Sequence, residues 1–151
     1  MHITKDNINE FINGTSMYCS NKDITHIEYI PDGITNLFCY NNKLTELTKL
    51  PESLEYLSCY SNKLTELPKL PESLEYLSCE HNKLTELPIL PESLISLDCG
   101  NNKLTELPKL PDGLISLWCY NNNLPYKINI ENLKEHNTLL KRKNILKLIC
   151  A

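Results

Sequence analysis

Val and Gln are absent from the 151 residues, and Ala, Arg and Trp occur once each, as Ala151, Arg142 and Trp118. Apolar runs never exceed a few residues, which excludes a membrane-spanning helix. The start, Met1-His2-Ile3-Thr4-Lys5-Asp6, lacks the apolar core of a secretory signal. Positive charge is also short. The chain carries 15 Lys and Arg against 19 Asp and Glu, a net −4. A global attraction to nucleic acid or anionic lipid is therefore not expected. With 41% hydrophobic and 23% charged residues, the chain has enough apolar material to escape disorder. Its length fits one ordinary domain or a short repeat array.

The seven cysteines fit no even disulfide framework. Six of them, Cys19, Cys39, Cys59, Cys79, Cys99 and Cys119, stand 20 residues apart, and only Cys150 is off register. A fixed period of this size marks a repeat architecture. The unit reads L-x-x-L-x-C-x-x-N-x-L-T-E-L-P-x-L-P-E-S, as in Leu54 to Ser73. Full copies begin at Ile34, Leu54, Leu74 and Leu94, with a divergent copy at Gly14 and a truncated one at Leu114.

Each slot has a physical reason. Leu54, Leu57, Cys59, Leu64, Leu67 and Leu70 must point inward to fill one layer of core. Their burial does not offset the entropy of ordering a 20-residue unit, so no copy folds alone and stacked neighbours close each other's layers. Strand alternation puts Leu57 and Cys59 inside and Tyr56, Ser58 and Tyr60 outside. Asn42, Asn62, Asn82, Asn102 and Asn122 follow the strands, where an amide can satisfy turn groups that lack partners. Pro68 and Pro71 forbid a helix in the return segment, which should run extended.

The pattern P-x-L-P-x-S-L-x-x-L-x-C-x-x-N-x-L resembles the short, 20-residue leucine-rich repeats of bacterial type III effectors, with Cys where those usually carry an aliphatic residue. It is also similar to Asn-rich, Cys-slot arrays of giant DNA viruses. The resemblance covers about 110 of the 151 residues. It implies a right-handed horseshoe solenoid, with short parallel strands on the concave face, a polyproline-like convex side and helical caps. Some such effectors carry a separate Cys-dependent ubiquitin-ligase domain of a few hundred residues. This chain has no room for one, so the resemblance implies the recognition half alone.

The boundaries expected are a cap at 1–13, the array at 14–124 and a cap at 125–151. In the first, Asp6 can N-cap a short helix whose Ile8, Phe11 and Ile12 share a face, with Gly14 to end it. The first repeat departs from the unit, with Met17 in a Leu slot and Lys22 in the Asn slot. In the last cap, Ile130 to Ile149 reads as one helix or two, N-capped by Asn129, with Leu133 and Leu140 folding over the open end of the core. Charge splits between these parts: residues 127–147 carry +4 and residues 1–126 carry −8.

The cysteine ladder admits a metal site, neighbour disulfides or plain packing. A linear ladder does not converge four ligands on one ion. In-register parallel strands point neighbouring Cβ vectors the same way, which opposes disulfides. A small buried hydrophobe in a tight slot fits best, and it implies a reducing, intracellular compartment, the cytoplasm of the producing cell or of a host. Nucleophilic use of Cys150 would need an electropositive site and a base, and His136 is the nearest histidine in sequence.

The outer strand face is where the copies differ. Its columns hold Ser16, Asn36, Tyr56, Tyr76, Ser96 and Ser116; then Tyr18, Phe38, Ser58, Ser78, Asp98 and Trp118; then Ser20, Tyr40, Tyr60, Glu80, Gly100 and Tyr120; then Asn21, Asn41, Ser61, His81, Asn101 and Asn121. Six of the eight tyrosines fall here, with Phe38 and the single Trp. Aromatics among scattered polar groups resemble a protein-binding face. The partner-binding residues expected are Tyr18, Phe38, Tyr40, Tyr56, Tyr60, Tyr76, Glu80, His81, Asp98, Trp118 and Tyr120, with Gly100 leaving a notch. Alternatively the aromatics only pack as lateral pairs. The Lys43, Lys63, Lys83, Lys103 row and the Glu46, Glu66, Glu86, Glu106 row read as a solvated surface. Glu80 and Asp98 oppose phosphate, which argues against nucleic acid. The function expected is non-enzymatic recognition of a partner protein, without cofactor, metal, small-molecule substrate or membrane. The alternative is a structural or decoy scaffold with no dedicated partner.

Overall fold

The computed structural model describes residues 1–149, so Cys150 lies outside the described residues. The chain winds as a parallel-strand solenoid of about six turns, closed by a helix. Strands β1 (His2–Ile3), β2 (Ile12–Asn13), β3 (Ser16–Tyr18), β4 (His26–Ile27), β5 (Asn36–Phe38), β6 (Tyr56–Ser58), β7 (Tyr76–Ser78), β8 (Ser96–Asp98) and β9 (Ser116–Trp118) precede helix α1 (Leu133–Ile149). One sheet runs β2-β3-β5-β6-β7-β8-β9, and a second pairs β1 with β4. Within the larger sheet, every pairing from β3 onward is parallel, with partners 20 residues apart, as Leu57 with Leu77.

The strands are three residues long because the chain soon turns into the left-handed region. Asn21, Asn41, Ser61, His81, Asn101 and Asn121 have φ between 51° and 58°. Asn tolerates this region better than most residues, which accounts for four Asn in that column. The next Asn then ties two repeats together. Asn82 donates through Nδ2 to the Cys59 and Cys79 carbonyls, both at 3.1 Å, and its Oδ1 accepts the Leu64 N–H at 3.0 Å. Asn42, Asn62, Asn102 and Asn122 repeat the arrangement. Lys22 can stand in the first Asn slot because no repeat precedes it to be bridged.

The return segment is extended, as its prolines dictate. It ends in a turn in which the Leu74 N–H donates to the Pro71 carbonyl at 3.1 Å, repeated at Pro51, Pro91 and Pro111. Ser73 Oγ donates to the Leu54 carbonyl at 2.7 Å, and Ser53 and Ser93 do the same for the copies before and after. The inward residues of the copies form one continuous buried core, against which Leu117 and Leu124 of the last copy pack half-buried.

The N-terminal cap differs from the expected Asp6-capped helix. It holds a single 3-10 turn, Ile8–Phe11, with Asn7 rather than Asp6 at its start. Asn7 Oδ1 accepts the Thr4 N–H at 2.8 Å instead of a helical amide. Ile12 belongs to β2, which turns at Gly14 (φ 61°) and lies antiparallel on β3. A hairpin thus pairs the open edge of the first strand of the array.

At the other end, Asn129 and Asn132 exchange backbone-to-side-chain hydrogen bonds at 2.9 and 3.0 Å, a reciprocal cap on the approach to α1. A single helix follows. Only its first half folds over the core: Leu133 and His136 are buried, Leu140 is half-buried, and every described residue from Lys141 onward is exposed. His136 lies between the Tyr126 hydroxyl and the Pro108 carbonyl, each 3.0 Å away. Asn137 clamps the Leu110 backbone, accepting its N–H at 2.8 Å and donating to its carbonyl at 2.7 Å.

Candidate protein-binding face

The cysteines lie beneath the sheet. All six thiols from Cys19 to Cys119 are free and buried. Burial pushes the Cys19 and Cys59 thiols up to about 12 and raises the others. A thiol held protonated is a poor nucleophile and a poor metal ligand, so these positions pack rather than react.

On the outer face the aromatic columns merge diagonally. Tyr18 stacks on Phe38 at 5.1 Å, Phe38 meets Tyr56 at 5.2 Å, and Tyr56 meets Tyr76 at 5.7 Å between ring centroids. Tyr40 and Tyr60 stack separately, 4.6 Å apart and nearly parallel. Lateral packing and exposure coexist. Phe38, Tyr40, Tyr56 and Tyr60 are half-buried, whereas Tyr18, Tyr76, Trp118 and Tyr120 are 41–51% exposed. Ser58 is buried although its column faces outward.

The expected notch at Gly100 is filled. A Cβ placed on Gly100 would lie 2.9 Å from two ring carbons of Tyr120. The Tyr120 ring therefore lies across Gly100, and its hydroxyl donates to Glu80 Oε2 at 2.9 Å. This bond spans two strands and raises the Tyr120 hydroxyl's pKa. A glycine between two bulky positions in one column was the available signal for the overlay. Beside it, burial raises the Asp98 carboxyl, whose Oδ1 accepts the Gly100 N–H at 3.1 Å.

His81 is exposed but sits in the left-handed turn, its Nε2 3.2 Å from Asn101 Nδ2. It belongs to a rim of turn residues, in which Asn41 donates to Asn21 at 3.0 Å and Asn121 to Asn101 at 2.9 Å. The sequence reading passed over Ile115, which is 70% exposed just before β9, because its neighbours in that column are mostly polar. The Lys and Glu rows are exposed. Lys43 pairs with Asp23 at 2.8 Å, and Glu106 pairs with Lys143 of α1.

No family model and no curated relative matches the chain. Solved structures do. The chain is similar to YopM from Yersinia enterocolitica WA-314, with 36% identity and a TM-score of 0.67 over 72% of this chain and 25% of that one. It is also similar to a Shigella effector LRR domain, with 34% identity and a TM-score of 0.76 over 84% of this chain and 57% of that one. The chain thus spans a quarter of the one and little more than half of the other. Among the described residues no helix is long and apolar enough to cross a membrane.

Proposed function

We infer that this chain, a leucine-rich-repeat protein of the bacterial-effector-like type, is a non-enzymatic scaffold that binds a partner protein through the open face of its seven-stranded sheet. The observation that carries this reading is the set of half-exposed aromatics, Tyr18, Tyr76, Trp118 and Tyr120, on a sheet whose opposite side packs on the core along every strand but the last. Aromatics on a rigid support lose little entropy on binding and dominate typical interfaces. Glu80, Asp98 and His81 add polar groups among them. The partner meets these side chains and not the Lys and Glu of the return side, whose flexible exposed pairs contribute little. The buried reduced thiols suit a reducing compartment, the cytoplasm of the producing cell or of a host.

The test compares surfaces. A partner retained from host-cell lysate by the wild-type chain should be lost with Tyr60→Ala, Trp118→Ala and Tyr120→Ala combined, with circular dichroism unchanged. At least one of these changes alone should cost more than about 1 kcal/mol of affinity. Lys63→Ala, Lys83→Ala and Glu86→Ala should change only the salt dependence of the association rate. If the aromatic changes are silent and the charge changes abolish binding, the recognition surface is the return side.

A further inference from the structure

The last strand leaves unfilled positions that every earlier strand fills. Within the array, the Cys99 N–H donates to the Trp118 carbonyl at 2.8 Å and the Asn101 N–H to the Tyr120 carbonyl at 2.9 Å. The Ile95 carbonyl accepts the Ile115 and Ser116 amides at 2.9 and 3.2 Å. The Leu104 N–H donates to Asn122 Oδ1 at 2.9 Å. In the final repeat the matching groups are the Cys119, Asn121 and Leu124 amides and the Ile115 carbonyl. Among the described residues none of them has a hydrogen-bond partner.

The side chains repeat this message. Met17, Leu37, Leu57, Leu77 and Leu97 are at most 2% exposed, yet Leu117 is only half-buried. The neighbouring slot is closed, because Ile128 is buried there and its carbonyl accepts the Cys119 thiol at 3.3 Å. Leu117, Cys119, Asn121 and Leu124 line one wall of an open groove of about 550 Å³, and Tyr126 to Asn129 form the other.

We propose that this groove receives an extended segment of a partner protein, which adds to β9 as an eighth parallel strand. The segment continues a strand interface that the chain already forms five times in one register. Its chemistry follows from the groups left open. An apolar side chain covers Leu117. The slot above Cys119 demands no side chain, since Ile128 fills it. An Asn five residues after the apolar one, the spacing from Leu97 to Asn102, accepts the Leu124 N–H through Oδ1 and donates to the Cys119 carbonyl. An intact second copy of this chain does not present such a segment on its first strand, because β2 covers that edge. The site is independent of the sheet-face reading and stands or falls without it.

The probe is a synthetic peptide with the sequence of residues 92–103 and the change Cys99→Gly, which carries both Leu97 and Asn102 and puts no side chain in the slot that Ile128 fills. Added to the full chain under reducing conditions, it should slow hydrogen exchange at the Cys119, Asn121 and Leu124 amides by about tenfold or more at saturation. The fluorescence of Trp118, the single tryptophan, should change saturably over the same concentrations. Peptides with Leu97→Asp or Asn102→Ala should bind at least about tenfold more weakly. Three results would each overturn the proposal: no added protection in millimolar peptide, equal protection by a scrambled peptide, or protection already present in the free chain and lost on dilution, which would make the edge a homodimer contact.

Discussion

Replacing Asn82 by Ala strips one buried amide from four backbone groups, the carbonyls of Cys59, Cys79 and Glu80 and the N–H of Leu64. The carbonyls keep a second partner each, Cys59 in Asn62 Nδ2, Cys79 in Asn102 Nδ2 and Glu80 in the Ser61 N–H, so only the Leu64 N–H is left unpaired. Leaving that buried donor unpaired costs about 1–3 kcal/mol and the three carbonyls each lose one of two bonds, so the array should lose roughly 2–4 kcal/mol. Urea denaturation checks this, and a loss below about 1 kcal/mol would show that water replaces the amide. The left-handed column works in the opposite sense. Ser61 holds φ of 53° without the tolerance that Asn has for that region. Ser61→Asn should stabilise the chain by about 0.5–1 kcal/mol, because it relieves backbone cost and can extend the Asn41-to-Asn21 rim. An unchanged denaturation midpoint would mean that the Ser61 conformation carries little strain. One side-chain atom stands apart: Ser20 Oγ is buried with no hydrogen-bond partner.

The strand of a middle repeat rests on its inward leucine. Leu77→Ala should cost roughly 2–5 kcal/mol, since layers above and below hold the cavity open. A shift below about 0.5 kcal/mol would be incompatible with the core position of Leu77. Helix α1 depends on polar docking more than on its apolar content. Leu146, Leu148 and Ile149 are 60–82% exposed, whereas Asn137 and His136 fasten the first half to Leu110 and Pro108. Asn137→Ala should therefore speed exchange of the α1 amides while sparing β5 to β8. The repeats were legible because period, inward slots and prolines all impose one geometry, and each error would recur in every copy. The caps were less so, since they occur once. The hairpin at β2 and β3 answers to an open sheet edge, which no spacing in residues 1–13 announces. The same holds for the face. Columns could be written from alternation, but Tyr120 lying over Gly100 to reach Glu80 depends on a rotamer, and only the missing side chain at Gly100 hinted at it.

At the scale of the molecule the six stacked thiols form one titrating unit. Each is protonated in the folded array, where desolvation raises its pKa, to about 12 for Cys19 and Cys59. In the unfolded chain the same thiols return to their ordinary value near 9. The folded state therefore binds more protons than the unfolded state between those two values. Stability is whole below pH 9 and falls as pH rises toward 12, by up to about 1.4 kcal/mol per pH unit for each thiol. Domains of ordinary stability hold about 5–15 kcal/mol, so a few thiols acting together would unfold the array within one or two units. The carboxyl groups act at the other end of the scale. Lys43 beside Asp23 and Lys143 beside Glu106 hold those two pKa values down, so their small surface contribution is lost only as pH falls into the carboxylate range. Stability should thus drop steeply above about pH 9. Denaturant melts from pH 7 to 11 under reducing conditions measure the slope. Tyr and Lys also titrate there, so the decisive comparison is a Cys59→Ala, Cys79→Ala double variant. It begins less stable, yet its stability should fall less steeply with pH, by the share of two thiols. An identical slope in the two proteins would mean that the buried cysteines are not the groups that release their protons on unfolding.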